Sequence, residues 1–373
     1  MVTSERLFRS RFIIDGVPQA LTPEALLAVV AESPAEPLPP VDSLMDESVE
    51  PDFEPMDIGG KSAEDCLALV SGVRREMSLQ QPGYWTKCRV AEALMAPLWR
   101  KGHFKLGDLC LRAKWQMDFS VTGAGAAFYR SVAALADYLD ALGVRLSAYS
   151  ASASRGHHSL ALTARLSADG LDEDSALVLP YRTAGARLST ARACASVILP
   201  ERRDWLVYIP FEAAEFRLGG SLLAQALGTG GPCPQLEDPD YFMDCYELVR
   251  ELVEDGVAVA GVTVCEGGLL PTLHRMASGG CGAQIDLSGV MSFYQERCLP
   301  RILFSEVPGA ILQVRDLDFD YLDAEMLLQD VTYFPLGHPD PDTPEICLKA
   351  EGKSGIQNIL DALLQERSAE GED

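Results

Sequence analysis

An apolar run from Val257 to Val264 passes through Cys265-Glu266-Gly267-Gly268 and straight into the helical spacing of Leu269 to Met276. A strand that turns on two glycines into a helix sets that helix against its own sheet, which commits the chain to covered sheets. The same alternation recurs on both sides of this motif. Helical spacing is read over Cys88 to Trp99, through Val90, Leu94 and Leu98, and over Ala126 to Leu142, through Val132, Leu135 and Leu139. Further helices are read at Gly220 to Leu227, Tyr241 to Leu252 and Leu322 to Leu328, with a closing helix at Ile356 to Gln365. Strands are read at Leu109 to Met117, Leu146 to Tyr149, Leu160 to Leu166, Trp205 to Ile209, Ile311 to Val314 and Ile346 to Lys349. The expected class is α/β (or α+β).

At 373 residues and 47% hydrophobic, the chain buries one large core or two ordinary ones. No run of 18 uncharged apolar residues offers a membrane span, and Met1-Val2-Thr3-Ser4-Glu5-Arg6 does not open like a secretory signal. The ten cysteines are scattered singly without a Cys-x-x-Cys pair, which fits a reducing compartment and speaks against a zinc site. The formal charge of −24, from 55 acidic against 31 basic residues, argues against direct binding to a nucleic-acid backbone, which requires clustered Lys and Arg. It leaves basic proteins as the complementary partners, or a role in solubility alone. Gly352-Lys353-Ser354 ends like a phosphate-binding loop, but Cys347 stands where its first glycine belongs.

Between Arg11 and Lys61 there is no basic residue, and Glu32 to Asp57 holds nine acids and six prolines. Proline removes backbone donors and like charges repel, so residues 31–65 are expected to be an extended linker, and deletion of residues 32–57 is expected to leave the melting temperature unchanged. Residues 1–30, with a short strand at Phe12-Ile13-Ile14 and a helix capped by Thr22, make no core of their own. They are expected to be the tail of an upstream domain.

Cys265-Glu266-Gly267-Gly268-Leu269 and Phe304-Ser305-Glu306-Val307-Pro308-Gly309-Ala310-Ile311-Leu312-Gln313-Val314, in that order, resemble the second half of phosphoribosylformylglycinamidine synthase. The resemblance runs from about Ala91 to Gly337. It implies the second aminoimidazole-ribonucleotide-synthetase-like half of that amidotransferase. Residues 66–200 would be a truncated ATPase-type domain and residues 201–373 the C-terminal α/β domain. Glu92 keeps the family's nucleotide-site glutamate, whereas Ala96 stands for its magnesium-binding Asn and Thr263 for a metal-binding Asp. Tyr149-Ser150-Ala151-Ser152 replaces Gly-Lys-Asp-Ser, which removes the charge that phosphoryl chemistry depends on. Gly219, Gly220, Ser221, Gly267 and Gly268 are retained, and Glu266 replaces an Asp. By this reading Glu92, Ser150, Ser152, Gly219, Gly220, Ser221, Glu266, Gly267 and Gly268 form a degenerate nucleotide site. It has no catalytic residues and no metal, and the expected cofactor is none, with residual ATP and magnesium as the alternative. A bulky residue at Gly220 or Gly267 is expected to abolish such residual binding without unfolding the chain.

The acidic, proline-rich segment followed by Met56-Asp57-Ile58 and Ser62-Ala63-Glu64-Asp65-Cys66-Leu67 is similar to that of the large tegument proteins of gammaherpesviruses, which carry the same scaffold with eroded motifs. That resemblance implies an inactive, protein-binding scaffold of the virion tegument, host nucleus and cytoplasm. Its partners would be host nuclear antiviral proteins and other virion proteins, with no direct nucleic acid and no membrane. Two alternatives stand beside it: part of an active ATP-dependent synthase or deamidase assembly, and a purely structural tegument component.

Overall fold

The computed structural model describes residues 4–33, 38–51, 56, 58, 60–167, 188–213, 215–264 and 266–349. The chain opens with α1 (Ser4–Phe8), β1 (Ser10–Ile14), β2 (Val17–Pro18), α2 (Pro23–Ala28) and β3 (Asp42–Asp46), followed by α3 (Ala63–Val70) and α4 (Pro82–Met95). Next come β4 (Leu109–Met117), α5 (Ala124–Ala141), β5 (Arg145–Ala153) and β6 (Ser159–Leu166). The second half contains β7 (Trp205–Pro210), α6 (Leu222–Leu227), α7 (Pro239–Glu254), β8 (Ala258–Val264), α8 (Leu269–Ala277) and β9 (Gly282–Ile285). It continues through α9 (Ser288–Tyr294), α10 (Leu299–Phe304), β10 (Gly309–Val314), α11 (Phe319–Leu328), β11 (Phe334–Asp340) and β12 (Ile346–Leu348). The mixed α/β class read from the sequence is the class observed. The helix expected at Ile356 to Gln365 lies outside the described residues, as does Cys265.

The second half is organised on a six-stranded sheet in the order β12-β9-β11-β7-β10-β8, antiparallel except where β12 runs parallel to β9. All six residues of β10 are buried because both faces of the sheet are covered. Ala310, Leu312 and Val314 pack in one core with Phe242, Cys245 and Val249 of α7. Ile311 points to the other core, with Leu269 and Leu273 of α8 and Leu303 of α10. Gln313 is the polar exception and is satisfied: its amide accepts from Leu199 N at 2.7 Å and donates to Asp204 Oδ2 at 2.8 Å.

The first half is smaller. β4 and β5 are parallel and joined through α5, and β6 adds antiparallel to β4. Helices α4 and α5 cover one face through Val90, Leu94, Phe128, Val132 and Leu135. Strand alternation puts Trp115 and Ala151 on that covered face and sends Lys114, Ser150, Gln116 and Ser152 to the opposite one.

Two expectations for the N-terminal region change. Residues 4–30 do not stand apart, because Leu7, Phe8, Phe12, Ile14, Leu27 and Val30 are all part of the first core. The ring of Phe8 lies 4.6 Å from that of Tyr149, 5.5 Å from Phe128 and 5.9 Å from Trp115. Nor is the acidic segment only an extended linker. Asp42 to Asp46 pair in parallel with β1, residue for residue from Ser10 to Ile14. The Asp46 carboxylate then accepts N–H groups from Gly123, Gly125 and Ala126 at 3.0, 2.7 and 3.0 Å, capping the 18-residue α5. Further on, Met56 and Ile58 pack against the second core. Composition argued for a solvated chain; a carboxylate on a helix N-terminus and a strand ladder outweigh it locally. Asp46→Ala is therefore expected to lower stability by about 1–2 kcal/mol, read as a lower urea midpoint. An unchanged midpoint would mean that the cap is idle.

Candidate functional site

The two glycine turns meet on one side chain. The 219–221 turn opens α6, where Ser221 caps the helix by accepting Ala224 N at 3.2 Å. Glu266-Gly267-Gly268 opens α8. Both turns present a backbone N–H to Glu306 Oε1, Leu222 N and Gly267 N each at 3.0 Å. Glu306 comes from the short link between α10 and β10 and is 4% exposed. Only close approach lets this happen. A Cβ on Gly219 would run into the carbonyl oxygen of Gly231, and one on Gly268 would lie 2.8 Å from Leu303 O.

The other oxygen of Glu306 faces two guanidinium groups. Arg89 Nη1 lies 3.0 Å from Glu306 Oε2 and 3.0 Å from Glu92 Oε2. Arg75 reaches Glu92 at 2.9 Å, Glu306 at 3.5 Å and Glu266 at 3.9 Å. Helix α4 supplies Arg89 and Glu92 one turn apart on one face. Arg75 arrives on a strap after α3, held by Glu76 and Gln225, whose amide donates to Glu76 O at 2.7 Å and whose oxygen accepts Glu76 N at 3.2 Å. The indole of Trp85 backs Arg89, with its ring centroid 5.6 Å from the guanidinium carbon. Burial pushes the Glu306 carboxyl up. Arg89 and Arg75, with the N–H groups of Gly267 and Leu222, outweigh burial and hold it below the ordinary glutamate value.

The site thus gathers seven of the nine residues predicted from the sequence: Glu92, Gly219, Gly220, Ser221, Glu266, Gly267 and Gly268. Ser150 and Ser152 stand apart, on the β5 face turned away from α4; among the described residues no hydrogen bond or ion pair joins them to the cluster. Sequence reasoning missed Arg75 and Arg89, and it read Glu306 only as a motif letter. The alternating signs of Arg89 and Glu92 at helical spacing were the one available signal. Gly220 proves to be a poor probe position: φ is +70° and a Cβ would lie 2.9 Å from Trp85 Cδ1, so a bulky side chain there disrupts the fold itself.

These residues do not fit a magnesium nucleotide. Magnesium demands several oxygen ligands in near-ideal geometry, and here the three carboxylates already face two fixed cations. Thr263 gives its hydroxyl to Trp99, accepting the indole N–H at 2.9 Å. Ala96 offers no oxygen from its side chain. Among the described residues, no group of three or more His, Cys, Asp or Glu is arranged to hold a metal ion. A cavity of about 630 Å³ lies beyond the 219–221 turn between Phe216, Tyr294, Arg217 and Arg301, and Met56 of the acidic segment forms part of its wall. Among the described residues no helix is long and apolar enough to cross a membrane. The nine described cysteines are free, and burial pushes the thiol of Cys88 up to about 12.

Residues 204–316 match the C-terminal domain of AIR synthase related proteins. The chain is 27% identical over 293 residues to the probable chloroplastic/mitochondrial phosphoribosylformylglycinamidine synthase of Arabidopsis thaliana, covering 76% of this chain and 19% of that protein. It is 28% identical over 258 residues to the phosphoribosylformylglycinamidine synthase of Homo sapiens, covering 67% of this chain and 18% of that one. The chain therefore spans about a fifth of the length of these relatives. Among solved structures, Thermotoga maritima PurL complexed with FGAR superposes with a TM-score of 0.50 at 13% identity, over 73% of this chain and 44% of that chain. The fold is that of a phosphoribosylformylglycinamidine synthase-like protein with an AIR-synthase-type C-terminal domain.

Proposed function

We propose that this chain is a catalytically silent derivative of the synthetase scaffold that works by holding other proteins. The observation that carries the reading is the pair of guanidinium groups, Arg75 and Arg89, seated among Glu92, Glu266 and Glu306. In the resemblance drawn from the sequence, Glu92 and the 266–268 turn serve a nucleotide and its metal. Here two guanidinium groups already face those carboxylates, so most of the charge that would attract magnesium is engaged within the fold. The resemblance to gammaherpesvirus tegument proteins supplies the setting: a virion protein that meets host nuclear antiviral factors and other virion proteins in the nucleus and cytoplasm.

The alternative is a module of an active synthase or deamidase assembly. The retained glycine turns favour it, as does the likeness to synthases of which this chain spans only a fifth. Calorimetry with ATP and magnesium on the intact chain separates the two. The expected result is no heat of binding. Binding in the micromolar range would sink the silent-scaffold reading and make Arg75→Ala and Glu92→Gln the next variants.

A further inference from the structure

Between Arg315 and Lys349 the sequence has nine acidic residues and neither Lys nor Arg. Within that stretch α11 is anchored from inside by Leu322 and Met326, which lie in the first core. Its outer side is not covered by the described residues. Leu317, Tyr321, Leu327 and Leu328 are 78%, 46%, 82% and 79% exposed. Tyr321, exposed Ala324 and Leu328 follow one another at helical spacing, and Leu317 lies four residues ahead of Tyr321, so an apolar stripe runs along the solvent face. An exposed helix ordinarily turns charged residues outward, and a stripe of large apolar ones is a feature of contact surfaces.

Carboxylates flank the stripe. Glu325 follows Tyr321 by one helical turn on α11, and desolvation first, then the negative charges of Glu325, Asp255 and Glu251, raise the Tyr321 hydroxyl above its ordinary value. The nearby cations are engaged within the fold. Arg250 contacts Glu247, Glu251 and Glu254, and Arg315 holds Asp318 at 2.6 Å. Such a surface repels nucleic acid and anionic lipid. A second copy of this chain would bring the same carboxylates against it. What complements it is an apolar helix face edged with Lys and Arg, since two helical stripes interdigitate and the edge charges pair.

We propose that the outer face of α11 is a docking surface for a basic amphipathic helix of a partner protein, with apolar side chains on Tyr321 and Leu328 and cations on Glu325 and Asp255. This names the partner class of the scaffold reading and rests on it in that respect; nucleotide calorimetry tests that reading separately. The probe is a fluorescein-labelled peptide of about 18 residues with leucine and lysine at helical spacing, titrated against the intact chain at physiological salt. Saturable binding is expected, weakened about tenfold by the double change Tyr321→Ser and Leu328→Ser and weakened also by Glu325→Lys. All three positions are on the surface, so the variants keep the fold. Three outcomes overturn the proposal: no binding tighter than about 100 μM, the double variant binding within about twofold of the parent, or equal binding of a control peptide whose leucines are serines. The last would reduce the contact to charge alone.

Discussion

Glu306→Gln is expected to cost about 3–5 kcal/mol of stability, read as a lower urea midpoint at neutral pH. The substitution keeps size and an acceptor oxygen for Leu222 and Gly267, so the loss isolates the charge. Without it Arg89, which is 6% exposed, loses a carboxylate 3.0 Å away, and Arg75 loses one at 3.5 Å. Glu306→Ala removes the acceptor as well and should cost at least as much. A midpoint within about 0.5 kcal/mol of the parent would show that the network carries no weight. The pH dependence follows from the same contacts. Because the folded carboxyl titrates below its ordinary value, its contribution is fully present above about pH 4.5 and fades as the pH falls through the lower, folded value. The gap between parent and variant is therefore expected to narrow on acidification below pH 4.5, and a gap that widened there would contradict the assignment.

Phe8→Ala is expected to cost about 3–5 kcal/mol. Phe8 is 3% exposed and meets Tyr149, Phe128 and Trp115 edge-on, with ring planes inclined at 61°, 65° and 68°. Edge-to-face aromatic contacts add to area burial, and a site ringed by large side chains collapses poorly around a cavity. Thermal and urea unfolding both read this loss. A cost below about 1 kcal/mol would mean that residues 4–33 are an appendage and that the sheet of β4, β5 and β6 is complete without them.

Much of this architecture was legible because it obeys simple periods. The β7, β8 and β10 strands are predominantly apolar runs, with Thr263 and Gln313 the exceptions, and α5 and α7 repeat at helical spacing. What escaped was whatever depends on distant partners or unfavourable composition. β11 reads Phe334-Pro335-Leu336-Gly337-His338-Pro339-Asp340, and its two prolines argue against a strand. It pairs nonetheless, with a register shift between Pro335 and Gly337 where it meets β7. β3 was hidden by its acids, because its ladder comes from β1 and its charge is absorbed by a helix 77 residues further on. The candidate site divides in the same way. The glycine turns announce themselves locally, whereas Arg75, Arg89 and Glu306 come from a strap, a helix and a link, and no spacing rule joins them. Ser150 and Ser152 were read from their resemblance alone. Strand alternation, applied to Ala151 between them, would have turned both away from the α4 side.

The first core has a further meaning. It runs without a break from Phe8 and Trp115 through α4 to Phe242 of α7 and Leu312 of β10, so the two halves share one apolar interior. Domains with separate interiors can unfold as separate events and divide their heat absorption accordingly. A shared interior forbids that division. Among the described residues, strain introduced in one half, by a partner or by a lesion, is therefore expected to reach the other through that interior.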